Sequence, residues 1–554
     1  MEQRAIAILS LLLIVSLVAT VSFNGPIWVP VALALLTALA IYDRVQRKHS
    51  ILRNFPFVGR GRWIIERIRP FIQQYVIESD TGGAPIQRMF RNIVYQRAKN
   101  SLETIPFGTQ LDTYQEGYEW IGHSLSANEV DNIDCSPRVT IGGPACKQPY
   151  SASILNISAM SYGSLSKNAI LALNKGARKG GFYHNTGEGG LSPYHLKHGG
   201  DIVWQIGTGY FGCRTDDGNF DPEQFKQNAL RESVKMIEIK LSQGAKPGHG
   251  GILPAHKNSP EIAKIRGVEP YTQVDSPARH SAFKTPLEMM DFIQQLRELS
   301  GGKPIGIKLA LGRRSEFVAM CKAMVDSGIS PDFVTVDGGE GGTGAAPLEY
   351  SNSIGTPLKE ALAFVDDILT GYGLRDAIKV IASGKIITGF HITKHIALGA
   401  DICNSARGMM LALGCVQSLS CNTNKCPTGV ATQDESLAKG LVVEDKFERV
   451  YSFHKRTVHV TADIISSVGL AHTDQLNRAH IFRRVNQETV KRYDQIYPII
   501  GHGAFLQGMV PEHYRLDVEE ASANSFVPRV QLTSVDQNET FIPIAVVGEN
   551  NGSK

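Results

Sequence analysis

Three thiols stand within twelve residues, Cys415, Cys421 and Cys426, and Pro427 follows the last directly. Close spacing and a terminal Cys-Pro pair point to an iron–sulfur cluster more than to zinc. Zinc would need a fourth ligand, and no second CxxC-type pair is visible. The plain alternative is three cysteines buried as small hydrophobes. Just upstream, the apolar run Lys379 to Ala382 ends in Ser383, Gly384 and Lys385, and Ala400 to Cys403 ends in Asn404, Ser405, Ala406, Arg407 and Gly408. Small residues at the ends of consecutive strands, each before a helix, suit a phosphate held by backbone N–H groups. Arg407 or Lys385 would add charge.

Further candidates sit on glycine-rich stretches. Glu188 stands in the run His184 to Gly190, where a carboxylate has little side-chain cover; a turn carboxylate is the plain reading. Lys240 ends an apolar run, and Lys246 follows in a loop with Gly244, Gly248, Gly250 and Gly251, whose glycines permit close backbone approach. Alone, either lysine would be a solvated charge. The run Val336 to Ala345 is dense enough in glycine, including Gly342 and Gly344 around Thr343, to donate several N–H groups to a ligand.

The cysteine spacing followed by Thr428-Gly-Val-Ala-Thr-Gln433 resembles the cluster-binding segment of the glutamate synthase large subunit, and the resemblance extends from about Ala152 to Leu470. It implies a (β/α)8 barrel holding FMN beside a [3Fe–4S] cluster on Cys415, Cys421 and Cys426. It implies that Ala159, Met160 and Ser161 lie against the flavin ring, with Ser164 there or as a helix N-cap. Gly342, Thr343 and Gly344 would lie near the flavin, and Ser383, Gly384, Lys385, Ser405, Ala406 and Arg407 around its phosphate. Glu188 would handle ammonia or an imino group, Lys240 and Arg266 would grip the carboxylates of 2-oxoglutarate, and Lys246 would stand by the flavin as a second catalytic group. The implied reaction is reduction of 2-iminoglutarate, formed from 2-oxoglutarate and ammonia, to L-glutamate.

Two departures bear on the substrate. Ile252 stands where the family carries Gln, a substrate and channel contact, and His249 stands at a commonly acidic position. They leave open a flavoenzyme of the same fold acting on another amino or 2-oxo acid, or a membrane electron-transfer protein without catalysis. No GxGxxG follows a strand, so electrons are expected from a separate reductase subunit, ferredoxin or membrane carrier. A hydrophobic run stands in place of a glutaminase, so nitrogen is expected as free ammonia or from a separate amidotransferase.

The elements that must position these residues are readable. Eight apolar runs alternate with helical patterns: 154–158, 183–185, 202–205, 236–240, 305–309, 333–336, 379–382 and 400–403. That is the pattern of βα units closing as a TIM barrel, whose C-terminal strand ends carry the chemistry. The 54 glycines are explained by cofactor-binding strand ends, and the eight clustered cysteines by a reducing compartment. A net charge of +4 does not indicate nucleic acid.

Before the barrel, Ala5 to Phe23 and Ile27 to Tyr42 are apolar runs joined by Asn24, Gly25 and Pro26, read as a transmembrane hairpin rather than a cleaved signal. Arg44, Arg47, Lys48, Arg53, Arg60, Arg62, Arg67 and Arg69 follow, placing both termini and the catalytic domain on the cytoplasmic side of the inner membrane. Interleaved Trp63, Ile64, Ile65, Ile68 and Phe71 suit a helix at the membrane surface or one packed on the barrel. The expected organisation is a hairpin over 1–45, a basic segment and lead-in over 46–150, the barrel over 151–475 and a C-terminal extension over 476–554. Tyr451 to Val468 reads as an outer helix.

Overall fold

The computed structural model describes residues 2–129, 133–248 and 250–528. His249 and the tail beyond 528 therefore lie outside the described residues. The chain forms two compact units, 1–88 and 89–554. In the first, helix α1 (Glu2–Phe23) and helix α2 (Trp28–Val45) pack as a hairpin. Both are long and apolar enough to cross a membrane. Helix α3 (Arg60–Ile72) follows, with no buried residue.

The second unit is built on a closed, all-parallel barrel of eight strands. They are β1 (Leu155–Ile157), β2 (His184–Asn185), β3 (Ile202–Ile206), β4 (Val234–Lys240), β5 (Ile305–Leu309), β6 (Phe333–Asp337), β7 (Lys379–Ser383) and β8 (Ile402–Ser405). All eight expected runs supply a strand. The last lies two residues further on than the apolar pattern suggested. Asp401 is held at its entrance, where its carboxylate accepts the Val380 N–H at 2.7 Å and pairs with Arg375 at 2.9 Å. Asn404 and Ser405 are thereby drawn into the strand.

Strand alternation sorts the barrel interior into levels. Along β4, Met236 belongs to an apolar plug, Glu238 to a polar network and Lys240 to the mouth. The plug gathers Tyr183, Val203, Met236, Phe333, Ile381 and Ile402 against Ile141, Tyr150 and Ala152. Those last three come from an antiparallel pair, Arg138–Ile141 with Tyr150–Ser153, which closes the N-terminal end. This part of the lead-in, expected to pack on or cap the barrel, thus stoppers it. Another part of it, Glu119–Ile121, pairs antiparallel with Ile481–Arg484. Half-buried Glu119 accepts from Lys359 at 2.6 Å and Lys394 at 2.9 Å. Burial raises its pKa, but the two lysines outweigh it and hold the carboxyl near about 2.

Helix α4 (Lys167–Gly180) follows β1. Its N-cap is Ser166, whose Oγ accepts the Ala169 N–H at 3.2 Å. Ser164, the expected alternative cap, instead donates its hydroxyl to the Ser161 carbonyl at 2.7 Å. Gly181, at φ +65°, ends the helix in the left-handed conformation. Helices α5 (Pro260–Arg266), α6 (Gly389–Ala397) and α7 (Arg407–Leu413) lead to α8 (Val443–Ser467), which packs along α4 and α6 as the expected outer helix.

Gly306 on β5 leaves the space filled by the Phe333 ring: a Cβ there would stand 2.3 Å from it. Gly306→Ala should destabilise the barrel by about 1–3 kcal/mol through overpacking, measured as a lower denaturant midpoint at unchanged m-value.

Candidate functional site

Four charged groups predicted from separate stretches converge at the C-terminal mouth. Lys240, at the end of β4, donates to Glu188 Oε1 at 2.6 Å, and Glu188 comes from the loop after β2. Arg266, at the end of α5, and Lys246, in the loop after β4, act on the same carboxylate electrostatically. Lys240, Lys246 and Arg266 are all buried. Burial alone would push the Glu188 pKa up, but Lys240, Arg266 and Lys246 together hold it below the usual carboxylate range. Lys246 is affected oppositely. Burial, reinforced by Lys240, lowers it to about 8. Burial also lowers Arg266, to about 10, so it stays charged; its guanidinium lies 5.1 Å from the Phe211 ring centre and donates to the Tyr162 carbonyl at 3.3 Å.

Backbone without side chains makes this pocket possible. A Cβ on Gly251 would fall 2.1 Å from Glu188 Oε1, and one on Gly207 would fall 2.6 Å from its Oε2. On Gly189 it would meet the Arg266 guanidinium at 2.8 Å. Gly187, at φ +64°, abuts the backbone of Met160 and Ser161, so the stretch Ala159 to Ser161 lies beside the Glu188 loop. Ile252, half-buried, directly follows Gly251 and pairs with Asp275.

A second layer beneath the mouth escaped the sequence reading. Buried Glu238 accepts from Asn185 at 2.8 Å, Gln205 at 2.6 Å and Thr335 at 2.6 Å. Lys308 pairs with Asp337 at 3.3 Å, and Asp337 accepts the Gly244 N–H at 2.9 Å. Burial would lower the Lys308 pKa, but Asp337 and Glu238 raise it. The signal was present, since Glu238 and Lys240 stand two apart in an apolar strand and so share its inner face. His280 also joins the site: it contacts the Lys240 carbonyl through Nε2 and the Tyr210 hydroxyl through Nδ1, both at 3.0 Å. Burial lowers His280 to about 4, so it is neutral at pH 7. It lies in an irregular loop, and nothing in its sequence context marked it.

Across the mouth, the ends of β1, β7 and β8 meet. Ser158 donates its N–H to the Ser405 carbonyl at 3.1 Å, and its hydroxyl lies 3.3 Å from that of Ser383. Ser405 Oγ donates to the Ile386 carbonyl at 2.6 Å. Gly384 (φ +150°) and Lys385 (φ +50°) turn the chain away, leaving the Lys385 side chain exposed. Ala406 precedes Arg407, whose guanidinium donates to the Glu340 carbonyl at 3.4 Å and would be struck by a Cβ on Gly342. Gly342, Thr343 and Gly344 are exposed. The predicted cradle residues therefore gather at one rim.

Cys415, Cys421 and Cys426 are free thiols, and Cys421 and Cys426 both act electrostatically on Cys415. Lys257 and Arg407 feel the field of these thiols. Lys257 is itself fixed by donation to the carbonyls of Ser164 at 3.2 Å and Ala431 at 3.1 Å. Among the described residues, no three His, Cys, Asp or Glu side chains stand close enough to hold a single ion.

The model for the conserved region in glutamate synthase matches residues 123–471, which contain the whole barrel and the three cysteines. The chain belongs to the glutamate synthase family. It is 38% identical over 523 residues to the glutamate synthase large subunit-like protein YerD of Bacillus subtilis, covering 87% of this chain and 98% of that one. It is 34% identical over 430 residues to the archaeal-type glutamate synthase (NADPH) of Thermotoga neapolitana, covering 75% and 79%. Against the glutamate synthase (NADPH) large chain of Bacillus subtilis it is 33% identical over 287 residues, 51% of this chain and 18% of that one. As a glutamate synthase family member the protein is an oxidoreductase acting on CH–NH2 donors.

Gly251→Ala should force the Glu188 carboxylate off Lys240 and lower turnover about 100-fold, the cost of misplacing a reacting group by about 1 Å. Steady-state assay beside a thermal melt within a few degrees of the parent would check it.

Proposed function

We propose that this glutamate synthase family member uses FMN and an iron–sulfur cluster of the [3Fe–4S] type to reduce 2-iminoglutarate, formed from 2-oxoglutarate and ammonia, to L-glutamate. One observation carries the reading: Glu188 stands ionised among Lys240, Lys246 and Arg266 at the barrel mouth, opposite a rim of glycines and serines. Three cations around one carboxylate leave the pocket positively charged, which suits a dianionic 2-oxo acid. Arg266, buried and charged, would grip a substrate carboxylate, and Lys240 would share that task while orienting Glu188.

The rim fits FMN. Gly342, Gly384 and the strand ends at Ser383 and Ser405 allow close backbone approach, and Arg407 and Lys385 bring positive charge for a phosphate. When bound, FMN supplies hydride chemistry that no side chain can provide. Cys415, Cys421 and Cys426 fit a polynuclear cluster taking one thiolate per iron, with Lys257 and Arg407 offsetting its negative charge.

The side chains divide the work. Glu188, held ionised, would accept hydrogen bonds from the N–H groups of ammonia and of the imino group as ammonia condenses with the oxo acid and water leaves. Lys246, near pKa 8, is protonated at neutral pH and close enough to its transition to release a proton. Electrons come from a separate donor, and nitrogen comes as free ammonia or from a separate amidotransferase. Helices α1 and α2 tether the enzyme to the inner membrane with the barrel in the cytoplasm. Ile252, in place of the family's Gln, favours a second reading in which a different 2-oxo acid is the substrate.

Anaerobic reduction of the detergent-solubilised protein, followed by 2-oxoglutarate and ammonium, tests the proposal. Flavin reoxidation with glutamate formed is expected; a flavin that stays reduced overturns it, and reoxidation by another 2-oxo acid establishes the second reading. Because Lys246 acts as the protonated form, kcat/KM should fall about tenfold per pH unit above about 8. Lys246→Met should remove that limb of the profile. Cys426→Ser should abolish the cluster's electron paramagnetic resonance signal while leaving the flavin spectrum.

A further inference from the structure

Helix α3 has two faces of different character. Ile64, Ile65, Ile68, Phe71 and Ile72 fall within one arc at 100° per residue, and each is exposed. Arg62 and Glu66 lie on the opposite side, with Arg60, Arg67 and Arg69 at the two borders. Between Arg44 and Ile72 the sequence carries Arg44, Arg47, Lys48, Arg53, Arg60, Arg62, Arg67 and Arg69 against a single acidic residue, Glu66. A soluble surface helix would bury its apolar arc, yet α3 buries none of it.

A fixed contact sets where this helix starts. Asp43, in the last turn of α2, is fully buried. Its carboxylate accepts from the Arg60 guanidinium at 2.5 Å and 2.9 Å and from the Phe57 N–H at 3.0 Å. A two-toothed arginine–carboxylate pair is directional, so it locks the first residue of α3 to the end of a membrane-length helix. If α2 spans the bilayer, its last turn lies at the boundary between acyl chains and headgroups. The start of α3 is then held at that same depth.

We propose that α3 lies in the plane of the cytoplasmic leaflet, with its isoleucines and Phe71 among the acyl chains and its arginines on anionic lipid headgroups. The proposal rests on the reading of α1 and α2 as a membrane hairpin and adds a lipid-charge requirement to it. An apolar arc of this width matches acyl chains, and the run of arginines matches phosphate-bearing headgroups. The Asp43–Arg60 pair makes the two elements one anchor.

The full chain carrying Phe71→Trp, reconstituted into vesicles of phosphatidylcholine with or without phosphatidylglycerol, tests this. Measured against the parent chain, whose Trp28, Trp63, Trp120 and Trp204 set the baseline, brominated acyl chains should quench the added Trp emission in the anionic vesicles and much less in the neutral ones. Adding Arg62→Gln, Arg67→Gln and Arg69→Gln should reverse the quenching, by roughly fivefold in the docked-to-lifted ratio for each arginine removed. Carbonate-resistant flotation reports the hairpin separately. A chain that floats with no quenching beyond the parent's, or with the added quenching equal in both lipids, overturns the role of α3 and leaves the tether standing. A chain that fails to float overturns both.

Discussion

The mouth of the barrel is governed by the need to keep one carboxylate ionised among three buried cations. Taken from water alone, each of these groups would be costly. Together Lys240 at 2.6 Å, Lys246 and Arg266 keep Glu188 charged, while Glu188 offsets part of the cost of burying them. The arrangement has little freedom to relax, because Gly207 and Gly251 press their backbone against both carboxylate oxygens. It therefore presents a fixed excess of positive charge before any ligand arrives. That preorganisation is what an anionic substrate requires of a site.

The layer below serves the same end. Glu238 has its hydrogen bonds filled by Asn185, Gln205 and Thr335, so a buried charge in the barrel centre is satisfied from three different strands. Lys308 and Asp337 link that layer to the Gly244 backbone and so to the loop carrying Lys246. Apolar side chains fill only the closed end, where the pair of strands before β1 seals the core. The polarity of the interior thus rises from the stopper to the mouth, and the chemistry sits where it is highest.

The N-terminal unit follows a different logic. Its helices expose apolar side chains on most sides, and a fully buried acid, Asp43, is used to fix a turn rather than a reaction. In the proposed arrangement the hairpin and α3 supply attachment, and the barrel supplies chemistry. The glutamate synthase conserved region matched in this chain begins at residue 123, well after these helices.

Sequence alone determined the periodic and the clustered features. Eight apolar runs separated by helical patterns specify a parallel barrel because each strand must be buried on both faces. Lys240 and Glu188 were visible because charge beside glycine is informative in a chain that otherwise alternates apolar and polar residues. The three cysteines were visible from spacing. What the tertiary structure decided was which distant residues meet. Glu188 and Lys240 are 52 positions apart, and only the closure of β2 to β4 brings them within 2.6 Å. His280 reaches the site from an irregular loop and Lys257 from a single 3-10 turn, Ala255–Lys257, and neither is long enough to carry a periodic signal. The start of β8 shifted because Asp401 had a backbone N–H and an arginine to satisfy. Periodicity is a local property of the chain, whereas pairing of buried charges depends on the closed shape of the barrel.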